Sequence, residues 1–504
     1  MKKISCLFRL IPCIIMTIFV LGCGYYSDDE LYVTAGKSAF PDYEYNQERA
    51  QLLSDRARIA ISESGYYYIM NDILYFYDIN NSLNMPLCSR VNCNHSSSEC
   101  DAYVYTTSSD PDASYACNCM DKKIFYYNNS LYLIERTEDS DFYLCKYDDK
   151  FNNRQVISKL ASISDEKTMV SDADISRISD GYLYYFVTIN NPEYAKNDFM
   201  ALFQCRRIKL EKNAVPEIFV EFEFPGDYAT SLGDSQGLKI NVCDENIYYI
   251  AGGTERCRSS NNPVQYKIFR YNTSDGLFEN IWSIAGNTTE NIFGDNTGKV
   301  SSFSSGDYII SDNDRNMYIL MSTKKDGLDR DKSNCILKLN IENNAAEIIY
   351  ESSDGNIQPI SYDGKNILFF EVEERINTPS SSFYTAIDCD GNVISRYELE
   401  YIPEYLNEYS SYVNKVKEKG MEVATPSATD RNIIVFCCDD RYILIGCYAT
   451  ADVFKNLSSS NYKSNHINLN SHSEQRIVGV GLLPQKQFMD SEPCEIKQIY
   501  QYAP

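Results

Sequence analysis

Cys88, Cys93, His95 and Cys100 fall in one short stretch, PLCSRVNCNHSSSECDAY, with the spacing C-x4-C-x-H-x4-C. Three thiolates and a neutral imidazole form a complete tetrahedral donor set for zinc, and a single loop can wrap such an ion. A closed set of four leaves no position for water or substrate, so the chemistry on offer is structural rather than catalytic. The spacing is not the paired C-x2-C of common zinc modules. In an exported chain the same thiols could equally form disulfides, with Cys117 and Cys119 as further partners. The residues alone leave a structural zinc, disulfides and free thiols as alternatives, and point to no other cofactor.

A second reactive residue is Cys23. Lys2, Lys3 and Arg9 precede or flank the apolar run Leu10 to Leu21, which is too short for a membrane-spanning helix and has the layout of a secretory leader. The run ends in Val20-Leu21-Gly22-Cys23, similar to the lipobox of bacterial lipoproteins, where a diacylglyceryl group is added to the cysteine and the chain is cleaved before it. Two or more acyl chains anchor a protein stably where one is marginal, since each buried CH₂ contributes about 0.8 kcal/mol. The expected organisation is therefore a leader at 1–22, a lipidated N-terminus and acidic tether at 23–58, and a folded domain at 59–504. The expected location is the outer face of the bacterial cytoplasmic membrane.

Other chemistry is hard to find. There is no H-E-x-x-H, G-x-S-x-G or P-loop pattern, and three histidines in all rule out a multi-histidine metal centre. The acidic run at Asp312 (DNDRN) lacks the glycine and terminal glutamate of an EF-hand loop and reads as a hairpin turn, and DGLDRD at 326–331 reads as a loop between strands. Cys437 and Cys438 sit at a strand end, where adjacent side chains face opposite ways and burial of one is expected. His466 and His472 fall in a Ser- and Asn-rich stretch, 456–476, that reads as an exposed loop. With 71 acidic against 47 basic residues the formal charge is −24, and removal of the leader takes it to about −27. A surface of that sign is a poor match for nucleic acid or for adsorption to anionic lipid, which leaves the anchor as the membrane link. Of 18 cysteines, Cys6 and Cys13 lie in the leader and Cys23 at the cleavage point; the odd remainder requires at least one unpaired thiol.

The elements that must carry these residues repeat along the chain. A turn triplet leads into a short aromatic strand, and a second strand follows that ends at a polar residue. ESGYYYIM with ILYFYD, DENIYYIAGG with KIFRYNT, and DRNMYILM with CILKLN are three of seven copies. Asp, Asn and Gly supply the turn geometry, and the Tyr-, Ile- and Leu-rich runs alternate with the two-residue period of a strand. Aligned on Tyr67, Leu131, Leu183, Ile247, Met317, Ile367 and Ile433, the copies recur at a roughly even period. The spacing predicts an all-β fold, a β-propeller of seven four-stranded blades with six or eight as alternatives. The 42 tyrosines are expected to build much of its core. A helix at 403–420 and a Cys/His loop at 88–119 are expected insertions.

The lipobox, the LYFYD strand running into PLC, and the Cys/His cluster ahead of a tyrosine-rich repeat resemble exported clostridial lipoproteins with a TolB-like or receptor-type propeller. The resemblance implies that fold and an extracytoplasmic address, and brings no ligand or reaction with it. The expectation is a non-enzymatic binding module for an envelope glycan or protein partner. Its alternatives are a secreted carbohydrate-active enzyme with funnel carboxylates, or a sensory or assembly subunit of an envelope complex.

Overall fold

The computed structural model describes residues 59–104, 124–162, 168–189, 201–224, 238–252, 265–285, 309–324, 332–373, 381–398, 422–423, 432–454, 471–490 and 495–501, with short breaks inside them, and single residues at 47, 414 and 418. The chain divides into Met1–Asp42, outside the described residues, and one compact unit, Tyr43–Pro504, which holds every described strand.

The described strands assemble in chain order into seven antiparallel sheets. The first holds β1 (Ile59–Ile61), β2 (Gly65–Met70), β3 (Ile73–Asp78) and β4 (Leu83–Pro86), and the second β5 (Ile124–Tyr127), β6 (Ser130–Arg136), β7 (Asp141–Asp148) and β8 (Gln155–Ser162). In the third, β9 (Thr168–Ser171) adds to β10 (Arg177–Ser179), β11 (Tyr182–Ile189), β12 (Ala201–Lys209) and β13 (Glu217–Phe224). The fourth comprises β14 (Leu238–Cys243), β15 (Asn246–Gly252), β16 (Gln265–Asn272) and β17 (Phe278–Ala285). The fifth comprises β18 (Ile309–Asp312), β19 (Asn316–Lys324), β20 (Lys332–Asn340) and β21 (Ala346–Ser352). The sixth comprises β22 (Gly355–Tyr362), β23 (Asn366–Glu373), β24 (Ser381–Asp388) and β25 (Val393–Glu398). The last pairs β26 (Glu422–Val423) and β27 (Asn432–Cys438) with β28 (Tyr442–Phe454), followed by β29 (Ser471–Pro484) and β30 (Lys497–Gln501); α1 (Gln485–Met489) joins the final two strands.

First strands of neighbouring sheets lie side by side, β1 by β5, β10 by β14, β14 by β18, β18 by β22 and β22 by β27. This is the radial order of a β-propeller, in which each sheet covers the next and only short edges remain. The cores sit between sheets: Phe125, Tyr132 and Phe142 pack with Ile178, Leu183 and Tyr185, and Leu368, Phe370 and Tyr384 pack with Cys438, Ile443 and Phe488. Tyrosines fill them as the composition suggests. Tyr66, Tyr68, Tyr77, Tyr185, Tyr318 and Tyr384 are among the largest fully buried side chains. The hydroxyls of Tyr66, Tyr68, Tyr77 and Tyr185 are served from neighbouring strands or sheets; Tyr185, for example, donates to the Leu160 carbonyl across to the second sheet at 3.3 Å.

The Asp or Asn that closes the third strand of five sheets has a uniform task. Asp78, Asp148 and Asp388 accept backbone amides two to four residues on, through Oδ1, and Asn272 and Asn340 do the same two and three residues on. Each is an Asx-type turn, in which a side chain satisfies amides that the reversal would orphan. The third–fourth strand pair also shifts register in every sheet except the first, which bends the outer strand.

Three expectations need correction. In the last copy, Ile433 lies on the first strand of its sheet, β27, rather than the second; the reversal into the second strand is Asp439-Asp440-Arg441. Asp430-Arg431-Asn432 has turn chemistry as well, and local signals cannot rank two turns. Cys437 and Cys438 are both buried, because β27 shifts register between Val435 and Cys437 and is covered on both faces. Helix α1 was not legible: five residues after a proline replace the usual turn, and Phe488 drives its ring edge-on against Tyr384 at 4.9 Å. Most of the expected helix at 403–420 lies outside the described residues; Asn414 and Glu418 are helical and exposed. The loop at 456–470 and Cys23 also lie outside them, whereas His472 belongs to β29.

Candidate metal centre

The Cys/His stretch is an excursion in the outer strand of the first sheet. Leu87 donates its amide to the Leu74 carbonyl at 3.0 Å as the chain leaves β4, and Leu74 donates its own amide to the Ala102 carbonyl at 2.8 Å as the chain returns. An antiparallel bridge between Ile73 and Tyr103 extends that return. One residue of β3 therefore holds both ends of the loop. Ser89 Oγ and Arg90 Nε tie its neck further, donating to the two oxygens of Asp101 at 2.7 Å each. The Ser89 hydroxyl and the Arg90 guanidinium hold the Asp101 carboxyl below the usual carboxylate range. The Arg90–Asp101 pair is half-exposed, so it orders the neck more than it stabilises the fold.

Inside the loop, one donor atom from each of Cys88, Cys93, His95 and Cys100 lies within 4.8 Å of every other, and His95 Nδ1 stands 3.4 Å from Cys100 Sγ. Donors held about 2.0–2.3 Å from a shared zinc ion stand roughly 3.5–3.8 Å apart, so small side-chain shifts close the cluster on an ion. Cys100 is buried and the other three are half-buried. Asn92 and His95 take left-handed backbone, φ 62° and 51°. That geometry comes easily to asparagine and costs histidine about 1–2 kcal/mol, which a ligand bond would offset.

Backbone amides are aimed at two of the sulfurs. The amides of Arg90 and Asp101 donate to Cys88, and the amide of Ala102 donates to Cys100. Arg90 and Ala102, each two positions after its cysteine, turn their N–H back to the sulfur, the outer hydrogen bonding that orients and stabilises metal thiolates. Burial pushes the Cys88 thiol up, but these amides and the neighbouring thiols outweigh it and leave it below its ordinary value. Burial and the shared contacts with Cys88 and Cys93 push Cys100 up to about 12. Three close thiolates cannot all ionise without a cation between them, and a divalent ion supplies that charge.

All four predicted donors thus come together. Cys88, Cys93 and Cys100 form no disulfide among the described residues. Cys117 and Cys119 lie outside the described residues. The roles of Leu74, Ser89 and Asp101 were missed; a Ser and an Asp flanking the first and last cysteines are the signal that could have shown the neck.

The buried carboxylates among the described residues are Asp78, Glu371 and Asp439, each engaged by its neighbours. Glu371 accepts from Ser352, Tyr350 and Arg396, and Asp439 from Tyr66 and Arg441. These are joints within and between sheets. Asp312 opens the β18–β19 reversal, as its turn chemistry suggests, and 326–331 lies outside the described residues.

No family model matches the chain, and no curated protein does. Among solved structures it is similar to an uncharacterized Listeria monocytogenes EGD-e protein, lmo1340, at 10% identity and a TM-score of 0.37, over 73% of this chain and 79% of that one. The β-propeller domain of the Trilobed protease from Pyrococcus furiosus matches at 9% identity and a TM-score of 0.34, over 76% and 96%. An oligogalacturonate lyase in complex with manganese matches at 11% and 0.34, over 66% and 76%. Its own sheets and their order make this chain an all-β propeller with almost no helix among the described residues.

Proposed function

We propose that the chain is a lipid-anchored, extracytoplasmic propeller, each of its seven sheets one blade, that acts as a binding module for an envelope glycan or protein partner. The observation that carries the reading is the distribution of connections. First-to-second strand reversals are short, as at 62–64, 128–129, 180–181, 244–245, 313–315, 363–365 and 439–441. The second-to-third connections, which leave the opposite end of antiparallel strands, include 190–200, 253–264 and 455–470, and the sheet-to-sheet connections at that end include 87–123 and 286–308. Length is thus concentrated at one end of a rigid scaffold, where binding surfaces are usually built. The lipobox at Cys23, the acidic charge and the resemblance to exported clostridial lipoproteins support the address.

Two measurements test this. Radiolabelled palmitate should appear on the wild-type protein and not on Cys23→Ala, which should be released from membranes. The purified protein should retain one class of envelope glycan, peptidoglycan or protein without altering it. Cleavage of a glycan would overturn the binding-module reading in favour of a carbohydrate-active enzyme.

A further inference from the structure

Among the described residues, no strand is exchanged across the seam between the first and last sheets. The described strands of the first sheet come from 59–86 and those of the last from 422–501, and among the described residues side chains hold the two together. At one end of the seam the Cys/His loop stands against the residues that do so. Tyr75 lies within electrostatic reach of Cys100, stacks on Tyr68 with centroids 5.6 Å apart, and meets Tyr500 of β30 edge-on at 5.1 Å. Tyr68 donates to Asn84 Oδ1 at 2.6 Å, and Asn84 Nδ2 donates onward to the Ile499 carbonyl at 2.7 Å. Lys497 Nζ donates to Tyr77 at 3.0 Å. The strands tied by the loop, β3 and β4, are thus the strands that grip β30.

We infer that Cys88, Cys93, His95 and Cys100 bind one zinc ion, and that this ion locks the seam at which the propeller closes. A disulfide needs two sulfurs and would leave the third thiol and the imidazole unused, whereas here all four donors converge. Soft thiolates with one imidazole select zinc over magnesium, calcium or manganese, which prefer oxygen. On binding, each thiol loses its proton to solvent, the imidazole binds neutral, and the four ligand bonds fill the coordination sphere. A loop pinned at both ends by Leu74 passes that gain to β3, because the loop cannot open without releasing hydrogen bonds at the start of the strand. Metal-binding free energy becomes folding free energy of the elements the ligands join, here the first sheet and through it the last.

The test uses the reduced full-length protein, stripped with a chelator and then reloaded with zinc. Reloading should leave one zinc per chain after gel filtration, and cobalt in its place should give the visible bands of a tetrahedral thiolate site. Zinc should slow amide hydrogen exchange at 73–87 and 497–501 by about tenfold or more and leave 332–352 in the fifth sheet unchanged. Cys93→Ser, at a half-buried donor, should lose both effects. Tyr500→Leu should keep the zinc but lose its effect at 497–501, which separates the seam from the loop. Failure to retain zinc or to give the cobalt spectrum overturns the site. Retained zinc with unchanged exchange at 497–501 overturns the lock.

Discussion

Tyr66, on the second strand of the first sheet, donates its hydroxyl hydrogen to Asp439 Oδ1 of the last sheet at 2.8 Å, across 373 positions of sequence. Arg441 completes the joint. Its Nε and Nη2 bind Asp439 Oδ2 at 2.9 and 2.7 Å, and its terminal nitrogens reach the carbonyls of Glu63 and Ser62 at 2.7 and 3.0 Å. Its guanidinium also faces the Tyr66 ring at 5.1 Å. Both members of the ion pair are about fully buried, at 1% and 2% side-chain exposure. Burial, with the Asp439 charge beside it, raises the Tyr66 phenol well above its ordinary value, so it remains a donor.

Removing one partner of this pair strands a buried charge. Arg441→Met is expected to lower unfolding free energy by about 3–5 kcal/mol, measured by urea denaturation. Tyr66→Phe, which deletes one hydrogen bond to a charged group, should cost about 1.5–3 kcal/mol. Equal small losses for both variants would show that the joint does not close the ring.

Buried thiols give the fold an alkaline limit. Burial pushes Cys335, with the Glu351 charge adding to it, and Cys145, with Glu135 adding, up to about 12. An unfolded cysteine ionises near pH 8.5, so between about 8.5 and 12 the folded state holds protons that the unfolded state has released. Their contribution is fully present below pH 8.5 and is lost as pH rises towards 12. Thermal midpoints should therefore fall over that window, and Cys335→Ala should flatten the fall. The same two thiols should resist N-ethylmaleimide in the native protein at pH 8.

Asx turns should tolerate amide for acid better than loss of the side chain. Asp78 is 4% exposed and accepts the amides of Asn80 and Asn81 as well as Asn81 Nδ2. Asp78→Ala is expected to cost about 2 kcal/mol by chemical denaturation. Asp78→Asn should cost less, because Asn272 and Asn340 already perform the same task in the fourth and fifth sheets.

Two turn glycines should respond differently to alanine. Both are left-handed, Gly181 at φ 76° and Gly391 at φ 88°. A Cβ at Gly181 meets open space, so Gly181→Ala should cost only the backbone penalty of about 1–2 kcal/mol. At Gly391 it would run into the Ile349 carbonyl of the fifth sheet. Gly391→Ala should be the more destabilising of the two in a thermal melt, and the reverse order would contradict the close approach of the fifth and sixth sheets.

Local chemistry was legible in the residues themselves. Alternating Tyr, Ile and Leu mark strands, Asp and Asn close the third strand of five sheets, and the C-x4-C-x-H-x4-C spacing brings four donors within one loop. Those features depend on neighbours a few positions apart, whose hydrogen bonds and side-chain period are set by the backbone between them. What joins the ring was not legible. Asp439 and Arg441 read as turn residues until Ser62, Glu63 and Tyr66 are brought beside them, and Phe488 becomes a plug only because Tyr384 stands opposite. Which buried face meets which, across hundreds of residues, is decided when the sheets close on one another, since burial pays only for surfaces that find a complementary partner.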